Sequence, residues 1–231
     1  MNTLEEVTRL IRRLREPERR ELAAWLTESL EDNLRVAESA VRYGAGPGNA
    51  DMFTVDEYLS LEEGSAIRHE YAAGQIYAMP EPLRRHKVIA GNVFAEVHAH
   101  LRGTPCRPYM EKTRINIKAH GADYYYYPDV VVGCGEMPDE DEEDPPEEYR
   151  LVVEVMSHST ERIDRREKAL IYRELPSIQE IILISNKPAF VTVHRRTENW
   201  APLVVASLEQ ELELQSIGLA LPLRRIYQGL R

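Results

Sequence analysis

Cysteine is scarce in this chain, long apolar runs are missing, and there is no basic excess. The two cysteines, Cys106 and Cys134, stand at no metal-ligand spacing, which excludes a cysteine-built metal centre. In a reducing compartment each is expected to be a small buried hydrophobe. No run approaches the roughly 18 apolar residues of a membrane span, and the N-terminus lacks the apolar stretch of a signal peptide. A cytoplasmic protein is the expectation. The formal net charge of −10 argues against a nucleic-acid partner until its distribution is read. Residues 136–148 hold nine acids and no lysine or arginine, so the remainder of the chain is close to neutral. Such a segment is a solvated, self-repelling loop, or one that repels or mimics phosphate. Net charge therefore does not decide the partner.

What is present centres on residues 128–172. Two short β-branched runs each hold one carboxylate: Asp129 in Pro128-Asp129-Val130-Val131-Val132, and Glu154 in Leu151-Val152-Val153-Glu154-Val155-Met156. A run of the second kind is a strand buried on both faces. An unpaired buried carboxylate costs several kcal/mol or protonates, so Glu154 needs a cation or hydrogen-bond donors. Two readings fit. Adjacent carboxylates with a lysine close by make a site for a hard divalent ion that takes oxygen ligands. Equally, Glu154 pairs with Lys168 or an arginine and holds a core together.

Around this centre, 231 residues suffice for one full domain and an appendage. Residues 1–43 read as a helical hairpin, broken at Glu16-Pro17-Glu18, with Leu22, Trp25, Leu26 and Leu30 on one stripe of its second helix. It is too small to stand alone and is a candidate oligomerisation arm. Residues 44–51 form a glycine-rich linker, and 52–231 the main domain. Thr54 and Glu57 make a capping box. Ala72-Ala73-Gly74 turns a hairpin with Glu70 on its first strand. A helix is predicted over 84–102 from the stripe Ile89, Val93, Val97 and Leu101; Arg84, Arg85, His86 and Lys87 crowd its start. A lone histidine there suits a structural role as well as a chemical one. Tyr124 to Tyr127 alternate faces of a strand, as packed core rings or as base-stacking platforms. Ser159 or Thr160 caps a helix on which Asp164, Lys168 and Tyr172 share one face. Further strands are predicted at 181–184, 190–194, 203–205 and 212–214, and a terminal helix-like stretch from Leu219 to Leu230.

Taken in order, Glu70 on its hairpin, Arg85-His86 opening a helix, Tyr127-Pro128-Asp129-Val130, Val153-Glu154-Val155, Ser157, Ser159-Thr160, Asp164, Lys168 and Tyr172 resemble the Uma-two family. The resemblance covers about 52–231, including Ile217-Gly218-Leu219 and Leu221-Pro222-Leu223. It implies an α/β (α+β) fold, a restriction-endonuclease-like core of a mixed sheet flanked by helices, and membership of the PD-(D/E)XK nuclease superfamily. It further implies that Asp129, Glu154 and Glu70 are metal-binding carboxylates for Mg2+ or Mn2+. The superfamily's lysine sits two residues after the second carboxylate; that position here is Met156, so Lys168 is implied as a migrated lysine. His86, Arg84, Arg85, Tyr172 and Ser157 are implied as substrate contacts. His158 stands where many members carry proline after the serine.

The expected function is a metal-dependent endonuclease acting on nucleic acid, DNA ahead of RNA, with a homodimer as the expected assembly. A catalytically silent nuclease-fold module that binds DNA or a protein is the alternative. A hydrolase of small phosphate esters is a third reading, separated from the first by an assay on nucleotides against polynucleotides.

Overall fold

The computed structural model describes residues 52–79, 81–110, 113–135, 148–156, 168–186 and 189–230. The helical arm, the linker, Ser157, Ser159, Thr160, Asp164 and most of the acidic segment lie outside the described residues.

Helix α1 (Val55–Gly64) opens on the expected capping box: Thr54 Oγ1 accepts the Glu57 N–H at 3.3 Å, and the Glu57 carboxylate accepts the Thr54 N–H at 2.8 Å. Strands β1 (His69–Ala72) and β2 (Gln75–Ala78) follow, joined through Ala73 and Gly74 with φ of 47° and 90°. Both turn residues are left-handed, the requirement of the tight hairpin turn that matches strand twist. Helix α2 (Arg84–Leu101) buries Ile89, Ala90, Val93, Val97 and Leu101, the stripe its sequence predicts.

Four strands come next: β3 (Cys106–Met110), β4 (Ile115–Ala119), β5 (Ala122–Tyr126) and β6 (Val130–Cys134). After them run β7 (Tyr149–Met156), the short helix α3 (Ala169–Tyr172), β8 (Glu180–Ser185), β9 (Val191–Arg195) and β10 (Leu203–Val205). The described residues close with β11 (Glu211–Leu214), β12 (Leu219–Pro222) and α4 (Leu223–Ile226). The helix-like ending expected from Leu219 onward is thus a strand followed by a single turn of helix. A short apolar run carries no period long enough to separate the two.

The main sheet is six-stranded in the order β10-β9-β8-β7-β6-β3. Within it β7 and β8 run parallel and their neighbours antiparallel, so the sheet is mixed as expected. A second, four-stranded sheet has the order β2-β1-β5-β4, and β11 pairs with β12 as a separate ribbon. The sequence pattern had not separated these sheets.

Strand β7 explains the layering. Leu151, Val153 and Val155 point to one face and join Ile89, Val93 and Val97 of α2 in the larger core. Val152 and Met156 point to the other and join Ile115, Ile117, Tyr126 and Tyr172. Both faces are covered, which is why the strand reads as an almost unbroken apolar run. Glu154 shares the second face by alternation. Three of the four consecutive tyrosines divide likewise: Tyr124 and Tyr126 pack in this second core, while Tyr125 joins Tyr58 and Tyr71 in a third. They are core rings.

Two further features bear on the whole domain. Cys106 and Cys134 face each other across β3 and β6 and are joined as a disulfide, so they are not the separate thiols expected from their scarcity. Sequence could not reveal this, because the pairing depends on a register between strands 28 residues apart. No helix among the described residues is long and apolar enough to cross a membrane.

At the far side of the main sheet, Glu180 is 1% exposed and accepts hydrogen bonds from Arg195 Nε at 2.8 Å, Gln215 N at 3.0 Å and Ser216 N at 2.7 Å. Arg195 in turn donates to the Glu213 carbonyl at 2.7 Å, tying the β11–β12 ribbon to β8 and β9. Removing Glu180 leaves the Gln215 and Ser216 N–H groups without this acceptor, and leaves the buried Arg195 with only the exposed Glu198, 3.0 Å away, as its ion partner. Glu180→Ala is expected to lower stability by about 3–5 kcal/mol, read as a shift of the urea midpoint; an unshifted midpoint would show the pair is dispensable.

Candidate active site

The site is assembled where five elements converge. Glu70 is on β1, and Ala72, two residues along on the same strand face, packs into the core between the two sheets. Glu70 is therefore directed toward the face of β7 that carries Glu154. Glu70 is 9% exposed, Glu154 4% and Lys168 5%, so two carboxylates and an ammonium are withdrawn from water together.

Lys168, at the start of α3, joins them. Its Nζ donates to Glu70 Oε1 at 2.7 Å and lies 3.8 Å from Glu154 Oε1. It also stands 5.5 Å from the centre of the Tyr126 ring, a cation–π contact. One turn along, Tyr172 donates its hydroxyl to Glu154 Oε1 at 2.8 Å, and its ring meets Tyr126 edge-on at 5.7 Å. The backbone N–H of Tyr127 donates to Glu70 Oε1 at 3.3 Å. The buried pair reading and the clustered-carboxylate reading thus coexist: Lys168 bridges both glutamates, one cation to two carboxyl groups.

Asp129 completes the constellation from the strand next door. The β6–β7 register pairs Val130 with Val153, so its continuation sets Asp129 across from Glu154. Asp129 Oδ2 accepts the Val155 N–H at 2.6 Å, and Oδ1 lies 2.6 Å from His86 Nε2 in the first turn of α2. His86 is 14% and Asp129 23% exposed on the side chain, which leaves this half of the site nearer to water than the glutamate half.

The remaining expected contacts are distributed less evenly. Arg84 is exposed, while Arg85 donates through Nε to the Asn186 carbonyl. Lys87 pairs with Glu81 at 2.8 Å. Together with Pro82, Leu83 and Val88, Arg84, Lys87 and Glu81 line an open depression of about 500 Å³ beside the start of α2.

Sequence reasoning missed one supporting group. Glu62 of α1 is 2% exposed and accepts from the His69 backbone N–H at 3.1 Å, from the Tyr127 hydroxyl at 2.9 Å and, on one oxygen, faces His69 Nδ1 at 3.0 Å. Tyr127 thereby connects two carboxylates, gripping Glu62 by its hydroxyl and Glu70 by its N–H. The available signal was the spacing of Glu62 four residues after Tyr58, on the buried stripe of α1.

The oxygen-rich donor set suits a hard divalent cation. Among the described residues, however, no three of His, Cys, Asp and Glu already surround one point as a cage. The carboxylates are held by Lys168, Tyr172, His86 and backbone N–H groups.

The family profile described as "Uma2: Putative restriction endonuclease" matches residues 55–224. The chain belongs to the Uma2 family. Among similar curated proteins, the uncharacterized protein slr1290 of Synechocystis sp. is 33% identical over 184 residues, covering 76% of this chain and 91% of that protein. A second uncharacterized Synechocystis protein, sll1609, is 26% identical over 134 residues, covering 58% of this chain and 75% of its own length. Among solved structures, a chain from Anabaena variabilis described as "a putative nuclease belonging to DUF820" matches with a TM-score of 0.59 at 19% identity. That likeness covers 76% of this chain and 97% of the other, and it establishes a shared fold.

The tyrosines of this Uma2 chain supply a test of the packing. Tyr172 and Tyr58 are held well above the ordinary phenol range, first by burial and then by neighbouring groups, Glu154 for Tyr172 and Tyr127 for Tyr58. The unfolded chain releases these protons near pH 10, the folded one does not. Their contribution to stability is therefore complete below about pH 10 and declines as pH rises beyond it. Absorbance titration should show the buried tyrosinates appearing only together with loss of the folded circular-dichroism signal. Their ionisation in a still-folded chain would contradict the packing described.

Proposed function

We propose that this protein is a PD-(D/E)XK-type endonuclease that hydrolyses phosphodiester bonds of nucleic acid, DNA ahead of RNA, with Mg2+ or Mn2+. The observation that carries the reading is the buried Lys168 ammonium, 2.7 Å from Glu70 and 3.8 Å from Glu154, with Asp129 across the β6–β7 register. Asp129, Glu154 and Glu70 would hold the metal, which when bound supplies Lewis-acid stabilisation of phosphate charge.

The chain's own residues would do the rest. Lys168 offsets the negative charge that builds on the phosphate and orients the attacking water. Tyr172 holds one oxygen of Glu154, and the Val155 N–H holds one oxygen of Asp129, so each carboxylate is fixed in direction before substrate arrives. His86 contacts the other Asp129 oxygen from the more open side and is the candidate phosphate contact there. Arg84 and Arg85 at the start of α2 would hold backbone phosphates, a contribution that fades as salt rises. Ser157 belongs to this proposed substrate-binding set, and the reading includes a cytoplasmic homodimer.

The alternative is a binding module that keeps the nuclease fold without its chemistry. What favours it is that the carboxylates already have protein partners, with no ready cage among the described residues.

The test uses the full chain with supercoiled plasmid, single-stranded DNA and RNA, in Mg2+, Mn2+ or EDTA, beside Glu154→Ala and Asp129→Ala. Metal-dependent cleavage that falls by at least about 100-fold in either variant, with weakened Mn2+ binding by calorimetry, is the expected result. Lys168→Ala should lose cleavage to a similar degree while still binding Mn2+. Nucleic-acid binding without cleavage would favour the binding module, and Mn2+ affinity unchanged in both carboxylate variants would reject this metal site.

A further inference from the structure

Outside the candidate site, the pairing of Cys106 with Cys134 carries the furthest. The two residues are directly opposite in the antiparallel β3–β6 register, with Cα atoms 4.0 Å apart. The next pair along, Pro105 and Gly135, is linked by a Gly135 N–H to Pro105 carbonyl bond at 3.2 Å. Cys106 and Cys134 therefore sit at a non-hydrogen-bonded position, where opposed side chains are closest. Cys134 is 4% exposed, and Cys106, the first residue of the sheet's edge strand, is partly exposed.

Both oxidation states suit the surroundings. Cys134 is a member of the larger core and Cys106 packs against it, so two thiols are accommodated there as small hydrophobes. The β3–β6 ladder continues through Arg107, Pro108, Tyr109 and Met110, which leaves the strand paired whether or not the sulfurs are joined. Leu101 at the end of α2 lies in the same core as Cys134, while at the other end of these elements His86 of α2 meets Asp129, the residue just before β6. Helix α2 and strand β6 are thus connected near both of their ends.

We propose that Cys106 and Cys134 form a reversible redox pair, a covalent staple that closes by exchange with a low-molecular-weight disulfide. The Cys106 thiolate attacks one sulfur of the small disulfide, forming a mixed disulfide and releasing one thiolate. The Cys134 thiolate then attacks the Cys106 sulfur and releases the second. Two protein thiols are oxidised, the small disulfide is reduced to two thiols, and a dithiol reductant reverses the sequence. The order follows from exposure: Cys106 is reachable, and Cys134 resolves. The closed staple fixes the edge strand and the strand end from which residues 136–148 depart, where the Cys134 N–H also bonds the Glu148 carbonyl at 2.9 Å. This inference is independent of the nuclease reading, and its readouts need no activity.

The experiment incubates the full chain with oxidised glutathione or with dithiothreitol, both without denaturant. Thiols are then counted by maleimide mass shift after quenching. No reactive thiol after the oxidant, two after the reductant, and the same far-ultraviolet circular dichroism in both are expected. Closing a ring of this length should raise the melting temperature by about 10 °C, a difference abolished in Cys106→Ala/Cys134→Ala. Cys134→Ala should capture one glutathione on Cys106, and Cys106→Ala none. Thiols that remain reactive after oxidant, a bond that opens only on unfolding, or a melting temperature indifferent to redox state would each overturn the proposal.

Discussion

A single buried ammonium organises the centre of this protein. Lys168 stands between Glu70 of one sheet and Glu154 of the other, and without it two carboxylates would face each other in a dry layer. Like charges at such range cannot both remain ionised in a low-dielectric setting without a compensating group. The lysine therefore permits the two sheets to close on each other with polar groups between them. Tyr126 and Tyr172 complete the enclosure, giving the ammonium an aromatic face and Glu154 a hydroxyl donor.

From that closure the rest of the site follows outward. The Tyr127 N–H holds Glu70, its hydroxyl holds Glu62, and two residues later the chain reaches Asp129. A side chain that grips α1 and a backbone group that grips β1 thus fix the entry of β6. His86 approaches the same carboxylate from α2, so the more open half of the site depends on helix packing and the buried half on sheet packing. Family membership and the shared fold agree with a nuclease-like frame. The chemistry rests on the residues within it.

Much of this was legible in residue order. Val-Val-Glu-Val announces a strand covered on both faces, and the stripe of α2 and the Thr54–Glu57 box follow from helical spacing alone. The tyrosine run alternates as strand geometry requires. Other features were beyond reach because they are set by register between distant strands. The division into two sheets, the Asp129–Val155 hydrogen bond and the Cys106–Cys134 bridge are of this kind. Glu62 escaped for a different reason: on a surface-looking helix a glutamate reads as solvated, and its spacing from Tyr58 does not show the donors that hold it. The final apolar stretch misled because strand and short helix share the same brief hydrophobic pattern.

The parallel pairing of β7 with β8 has one more consequence. Parallel neighbours require a long crossover, and here that crossover delivers Lys168 and Tyr172. The ammonium thus arrives on the crossover, while Met156, two residues beyond Glu154 on the strand, seals the interior with an apolar side chain. The site thereby rests on two kinds of support. The Glu70 and Glu154 carboxylates are carried by strands, whereas the cation between them arrives on a connection that is itself anchored in the second core through Ala169, Ile171 and Tyr172.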